Sequence, residues 1–107
     1  VRLVGDPAMR VTRVGLALGY SSQFGKGVPA LRDRGLELLI AGESPEWETP
    51  EYVRDAVLLG ERKAMLVLGH QRSEEAGMRL LAERLQAMLP GVPVRYVETR
   101  PALDTLL

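Results

Sequence analysis

Short apolar runs alternate with amphipathic segments along this chain, and the alternation predicts its fold. A continuous apolar run indicates a strand covered on both faces, whereas apolar residues that recur every three or four positions indicate a helix. The pattern predicts strands at residues 1–4, 11–18, 36–41, 65–68 and 92–98, and helices at residues 28–34, 49–59 and 73–89. The order β-β-α-β-α-β-α-β favours an α/β domain, with a mostly parallel sheet of about five strands and helices on its faces.

Turn and capping residues mark the ends of these elements. Thr49 followed by Pro50 is a strong helix start, and Gly35 is expected to end the helix before it. Ser73 is predicted to cap the longest helix. Pro93 places the last strand near an edge of the sheet, because proline cannot donate to a strand ladder. Residues 1–107 are therefore interpreted as one domain.

The composition excludes several classes of function but does not identify the function of the chain. Lysine plus arginine equals aspartate plus glutamate, at 14 each, so bulk charge does not favour nucleic-acid binding. Cysteine is absent, which excludes disulfides, thiolate catalysis and cysteine-type zinc sites and fits a reducing, cytoplasmic compartment. No apolar run approaches the roughly 20 residues that cross a bilayer, so no membrane partner is expected.

Three loops that lead from a strand into a helix are expected to meet at one rim of the sheet, where open α/β sheets bind ligands. These loops are residues 19–27, 42–49 and 69–73. The candidate site residues that they contribute are Ser21, Ser22, Glu43, Trp47, His70 and Glu74. Any site in this protein is predicted to lie at this rim.

His70 and Glu74 form the sharpest pair among these candidates. An imidazole and a carboxylate four residues apart, at the start of a helix, can bind one zinc, manganese or iron ion. Two ligands do not make a tight site, since three or four protein donors are usual. In the alternative interpretation the histidine caps the strand end and the glutamate interacts with the helix terminus. Spacing alone leaves both interpretations open.

The remaining candidates are less specific. Glu43 follows a buried strand and would be a third ligand, a partner that holds the imidazole, or a simple loop carboxylate. Trp47 would stack on a planar ligand or cover apolar surface at an interface. Ser21 and Ser22, in the glycine-rich loop 19–27, would form part of a substrate loop that cradles an anion, or would simply belong to a glycine-rich turn from strand to helix, which is the commoner case. A catalytic triad is disfavoured, because the lone histidine has no evident serine or aspartate partner.

The order of several segments resembles a known family. The segments are VRLVGDP, VTRVGLALGYSS, LELLIAGE, MLVLGHQRSEEAGMRLLAERL and PVRYVE. Together they are similar to the C-terminal half of the NIF-three-like proteins, also called GTP cyclohydrolase 1 type 2 homologues. The most specific element is Gly69-His70-x-x-Ser73-Glu74. The resemblance implies that His70 and Glu74 are ligands of a two-metal centre, and that the protein is a homo-oligomer.

The chain also departs from that family. The family's other ligands, a histidine pair and an aspartate, belong to its N-terminal half, and this sequence has one histidine. We expect either that the N-terminal half lies outside this sequence or that the chain is a shortened relative. The first expectation for function is part of a dinuclear metal-dependent hydrolase, similar to GTP cyclohydrolase type 2. The alternative is a non-catalytic module that oligomerises or binds a small molecule such as a nucleotide, with a vestigial metal site.

Overall fold

A computed structural model of the chain describes residues 1–23, 25–100 and 102. Its strands are β1 (Arg2–Val4), β2 (Val14–Ala17), β3 (Leu38–Ala41) and β4 (Ala64–Val67), and its helices are α1 (Gly27–Asp33), α2 (Thr49–Leu58) and α3 (His70–Met88). Most of these boundaries lie one to three residues from the predicted ones, because strand ends are decided by pairing rather than by local pattern.

The four strands form one sheet in the order β1-β4-β3-β2. Strands β2, β3 and β4 run parallel, with Leu16 opposite Ile40 and Ile40 opposite Leu66. Strand β1 joins the other edge antiparallel to β4, with Leu3 opposite Leu66. The predicted α/β class and the mostly parallel sheet are confirmed.

The predicted fifth strand, at residues 92–98, is wrong. This segment has no strand pairing and lies along α3 instead. The backbone N–H of Val94 donates to the side chain of Gln86 (2.9 Å), and the amide of Gln86 donates to the carbonyl of Val92 (3.2 Å). Because Pro93 has no N–H to offer a ladder, side-chain bonds from the helix replace strand pairing.

The start of α3 also differs from its prediction. Gly69, with φ of 96°, precedes the helix, and His70 is its first residue. Ser73 was predicted as the cap but lies inside the first turn, where its hydroxyl donates to the carbonyl of His70 (2.7 Å). A glycine accepts the left-handed conformation that this sharp turn needs, so the helix begins three residues early.

The core lies between one face of the sheet and the helices α1 and α2. Its fully buried members include Leu31 from α1, Val53 from α2, Leu39 from β3 and Met65 from β4. Tyr52 and other half-buried residues pack around this cluster. Each strand therefore sends alternate side chains into the same apolar layer.

Helices α1 and α2 both lie on one face of the sheet. The chain steps from β2 to β3 and from β3 to β4 in the same direction. Right-handed crossovers that step in one direction place their helices on one face, and α1 indeed packs against α2. Helix α3 takes part in none of the extensive contacts between elements. Within the described residues, no helix is both long enough and apolar enough to span a membrane.

Candidate metal centre

Backbone hydrogen bonds join the three predicted rim loops. The N–H of Gly69 donates to the carbonyl of Gly42 (2.7 Å), and the N–H of Glu43 donates to the carbonyl of Gly19 (3.0 Å). These bonds continue the parallel ladder beyond the strand ends, so the loops leave the sheet side by side. The rim at the carboxyl ends of β2, β3 and β4 is therefore one connected surface.

Ser73 attaches the first turn of α3 to this rim. Its hydroxyl oxygen accepts the N–H of Gly19 (2.8 Å) while its proton goes to the carbonyl of His70. Ser73 is the one buried residue of α3, at 8% exposure. The hydroxyl thus fixes the helix start, and with it the side chains of that turn, against the loop that follows β2.

The imidazole of His70 lies between two carboxylates. Its Nδ1 is 3.0 Å from Oε1 of Glu43, and its Nε2 is 3.2 Å from Oε2 of Glu74. Glu74 approaches because residues four apart share a helix face. Glu43 approaches from the neighbouring loop. All three side chains are about half exposed, at 45%, 40% and 49% in the order His70, Glu43, Glu74.

The carboxylates favour the protonated imidazole. The hydrogen bond to Glu43 is the largest cause that raises the pKa of His70 above its ordinary value of 6.5. Partial desolvation opposes this effect, and the negative charge of Glu74 adds to it. When both ring nitrogens carry a proton, each can donate to one carboxylate. The site therefore attracts positive charge at Nε2, either as a proton or as a cation.

Gly19 makes room for this arrangement. A Cβ atom at residue 19 would overlap the carboxylate of Glu74 and would lie 3.3 Å from Nε2 of His70. The φ of Gly19 is 59°, in the left-handed region that side chains disfavour. Gly42 is packed as closely, since a Cβ there would overlap the backbone of Gly19 and approach Oγ of Ser73 at 2.6 Å. Two glycines thus bring the backbone against the imidazole–carboxylate pair.

The separation of Nε2 and Oε2 fits a single divalent cation. Two donors about 2.0–2.2 Å from one cation, at octahedral to tetrahedral angles, lie about 2.8–3.6 Å apart. The observed 3.2 Å between His70 and Glu74 lies inside that range. Among the described residues, no group of three or more histidine, aspartate or glutamate side chains is arranged to hold a metal. The residues present therefore fit two ligands of a metal site.

The other predicted candidates take different positions. Ser22 is fully buried, and its hydroxyl donates to the carbonyl of Glu43, so it supports the loop that carries that carboxylate. Ser21 is exposed, and Trp47 is 77% exposed. In the described part of the chain, no hydrogen bond or ion pair joins Ser21 or Trp47 to the imidazole. Phe24, in the same loop as the serines, lies outside the described residues.

Sequence reasoning missed the roles of Gly19 and Ser73. Gly19 was interpreted as part of an anion cradle, and Ser73 as a helix cap, yet they contact each other and surround the His70–Glu74 turn. A glycine directly after a strand was the available signal. Its partner lies 54 residues away, and no local pattern indicates so distant a contact.

The comparisons with known proteins found no relative of this chain. No protein-family model matches the chain, and no curated protein or solved structure matches it either.

Proposed function

We propose that this chain binds a divalent cation through Nε2 of His70 and the carboxylate of Glu74, as one part of a dinuclear metal-dependent hydrolase site. One observation carries the proposal: the imidazole is held by Glu43 on Nδ1, so that Nε2 is directed at Glu74. This is the arrangement in which a carboxylate fixes the tautomer of a metal-binding histidine and raises its basicity. Resemblance to the NIF-three-like family supports the same pair.

Each residue has a distinct role in the proposed site. His70 and Glu74 are the two ligands, and Glu43 is a positioning residue whose carboxylate accepts a hydrogen bond from Nδ1–H of His70. Gly19 leaves the space that the carboxylate of Glu74 occupies. Zinc, manganese and iron(II) all accept this nitrogen and oxygen donor pair. A cation bound by these residues would act as a Lewis acid, which would activate a water and polarise a phosphoryl group or ring carbon of the substrate.

Two donors leave the cation open to further ligands. In the NIF-three-like family, a histidine pair and an aspartate complete the centre, so we propose that donors beyond His70 and Glu74 complete it here. Homo-oligomeric assembly, a cytoplasmic location and a nucleotide or other small molecule as ligand remain predictions that accompany this proposal.

The second candidate is a non-catalytic module that oligomerises or binds a small molecule. The observation that favours it is the limited donor set: the described residues provide two ligands and one positioning carboxylate at the rim. In this candidate, the imidazole and the two carboxylates form a charged hydrogen-bond network that holds the first turn of α3 against the rim.

Calorimetric titration with Zn²⁺ and Mn²⁺ tests metal binding. We expect binding by the natural chain, loss of binding in His70→Ala and in Glu74→Gln, and a 10- to 100-fold weaker affinity in Glu43→Gln, as is typical when a histidine's carboxylate partner is removed. Glu75→Gln is the matched control, because Glu75 pairs with Arg79 on the same helix. Equal affinity in all four variants would remove the proposal.

An activity assay separates the two candidates. The Mn²⁺-loaded chain is incubated with GTP and with an aryl phosphate, and ring opening and phosphate release are followed. Turnover that His70→Ala abolishes supports the hydrolase. Metal binding without turnover would show that His70 and Glu74 hold a metal but do not by themselves support hydrolysis.

A further inference from the structure

Resting on the proposed function, which places the reaction at His70 and Glu74, we propose that the substrate is a phosphate monoester of an apolar alcohol. The apolar part lies in the groove between α3 and residues 94–99, here called the α3 groove. The phosphate lies at the end of the groove that Glu74 lines. This assignment names a substrate class that differs from a nucleotide.

Two glutamines of α3 hold the segment that forms the outer wall of the groove. Gln71 donates to the carbonyl of Thr99 (2.5 Å), and Gln86 donates to the carbonyl of Val92 (3.2 Å). These attachments are about 22 Å apart along the helix. The α3 groove between the helix and the segment has a volume of about 440 Å³, within the range of roughly 300–1,000 Å³ that is typical of small-molecule sites.

The walls of the groove are mostly apolar. Helix α3 contributes Met78, Leu81 and Leu85, and the segment contributes Val94 and Val97. Met78 is 51%, Leu81 is 44% and Val97 is 75% exposed, so the segment borders the groove without filling it. An apolar ligand would take these side chains out of water. The polar groups of a nucleotide base or ribose would be buried there with few hydrogen-bond partners, which is costly.

The groove is continuous with the proposed metal site. Gln71, Glu74 and Thr99 line its end nearest the rim. The carboxylate of Glu74 also lies 3.2 Å from Nε2 of His70, so a ligand in the groove reaches the position proposed for the cation. A mostly apolar pocket with a few polar groups that converge at one point is typical of a site that binds and orients a small molecule.

Two arginines at the same end favour an anionic group. They belong to an adjoining pocket, which shares two residues with the groove and is lined by Arg72, Glu75, Glu98, Thr99 and Arg100. Arg79 pairs with both carboxylates of this pocket, at 2.8 Å and 3.4 Å. Within the described part of the chain, Arg72 and Arg100 form no ion pair or hydrogen bond. Guanidinium groups match the geometry of a phosphate, so these two are left to bind one.

The groove and the adjoining pocket together give a phosphate monoester one orientation. The phosphate faces Arg72, Arg100 and the Glu74 end, while the alcohol part lies along Leu81. Hydrolysis would add water to phosphorus and break the bond between phosphorus and the alcohol oxygen, and the alcohol would leave with a proton from that water. The α3 groove therefore holds the leaving group.

Binding of 2-naphthyl phosphate to the metal-free chain tests the groove. By calorimetric titration in the presence of EDTA, we expect saturable binding by the natural chain and by Leu80→Asp. We expect binding that is at least about tenfold weaker in Leu81→Asp. The two leucines are adjacent on α3 and are 46% and 44% exposed, but of the two only Leu81 lines the groove. Val97→Asp, on the other wall, repeats the test should Leu81→Asp lose its circular dichroism spectrum.

Three further ligands and variants separate the apolar part from the phosphate. Arg72→Gln should weaken binding of 2-naphthyl phosphate about two- to fivefold and leave binding of 2-naphthol unchanged, because exposed ion pairs contribute little. Arg84→Gln is the matched control, since Arg84 is exposed on the same helix and lines neither pocket. Guanosine monophosphate should bind at least about tenfold more weakly than 2-naphthyl phosphate.

Several outcomes would overturn the assignment. They are no saturable binding, folded Leu81→Asp and Val97→Asp variants that bind as tightly as the natural chain, and guanosine monophosphate that binds as tightly as 2-naphthyl phosphate. A natural dimer that Leu81→Asp converts to a monomer would assign the groove to a second copy and would also overturn it. A chain that binds Mn²⁺ but not 2-naphthyl phosphate loses only the groove assignment. A chain that binds 2-naphthyl phosphate but no metal loses the proposed function and keeps the groove as a binding site.

Discussion

Helix α2 precedes strand β4 in the chain and helix α3 follows it, and yet the two helices bury very different shares of their residues. The ten residues of α2 include three that are buried, namely Thr49, Val53 and Ala56. The 19 residues of α3 include one, Ser73. Both helices carry an apolar stripe at helical spacing. The difference lies in the surface available to each, because α2 returns over a sheet face that α1 already shares, whereas α3 leaves the sheet.

The two helices therefore belong to regions with different sources of stability. The body, formed by the sheet with α1 and α2, is stabilised by apolar burial. The arm, residues 74–99, is held by side-chain contacts between α3 and the segment that follows it. Arg79 lies 4.7 Å from the ring of Tyr96, and Gln71 donates to the carbonyl of Thr99 (2.5 Å). Exposed contacts of this kind contribute less than burial does.

The largest expected effect is a difference between two leucine-to-alanine variants. Leu39→Ala, in the body at 2% exposure, should lower the free energy of unfolding by about 2–5 kcal/mol, because it leaves a cavity. Leu81→Ala, in the arm at 44% exposure, should lower it by less than about 1 kcal/mol in dilute protein. Urea unfolding measures both. Equal losses would show that the arm is packed as tightly as the body.

A second pair of variants examines the joint between body and arm, which is the contact between Gly19 and the first turns of α3. Gly19→Ala should cost about 1–3 kcal/mol, because its Cβ would overlap Glu74 and its φ is 59°. Gly25→Ala has a comparable φ of 71° but open space around its Cβ, so it should cost less. The difference between the two unfolding free energies measures the crowding at the site. No difference would mean that the carboxylate of Glu74 swings aside at little cost.

The third prediction concerns the attachment of the arm's last segment. Gln86 accepts from the N–H of Val94 and donates to the carbonyls of Leu89 (3.3 Å) and Val92. Gln86→Ala should release residues 92–99 from α3 at a cost of about 1 kcal/mol, seen as faster hydrogen exchange there with α2 unchanged. Arg84→Ala, an exposed change on the same helix, is the control. Unchanged exchange in Gln86→Ala would show that apolar contacts alone hold the segment.

The smallest expected effect is a change of stability with pH, which comes from the ion pairs of His70. Because the pKa of His70 is raised above 6.5 in the folded chain, its ion pairs add stability below pH 6.5. This stability is lost as the pH rises through the folded value. The single histidine gives one imidazole signal in NMR. Its midpoint should lie above 6.5 and fall in Glu43→Gln, while Glu46→Gln, whose carboxylate pairs with Arg2, should leave it unchanged. A midpoint at or below 6.5 would contradict the ion-pair geometry.

Local pattern was sufficient for most of the body. The start of α2 at Thr49 and Pro50 and the buried runs of β3 and β4 were predicted within a few residues. In each case neighbouring residues determine the element through turn conformation or apolar spacing, although Thr49 is the first residue of α2 and its hydroxyl makes no capping hydrogen bond to any described residue. Local pattern failed at residues 92–98, where alternating apolar residues resemble a strand. No strand ladder reaches them in the described structure, and Gln86 binds their backbone instead.

Part of the candidate site was predictable because some of its residues are close together in the sequence. His70 and Glu74 are four residues apart at a strand end, so sequence spacing places them together, and the structure does bring them to 3.2 Å. The approach of Glu43 to Nδ1 and of Gly19 to Glu74 depends on the order of strands in the sheet. Spacing along the chain carries no information about contacts across strands.

By itself, the sequence determined the α/β class, the order of the elements from β1 to α3 and the placement of His70 and Glu74 on one turn, because these depend on interactions within a few residues. The tertiary structure alone decided that α1 and α2 share one face, that α3 leaves the other face open, and that two carboxylates enclose one imidazole. These outcomes depend on the direction in which successive strands are added to the sheet, which no short segment of the chain encodes.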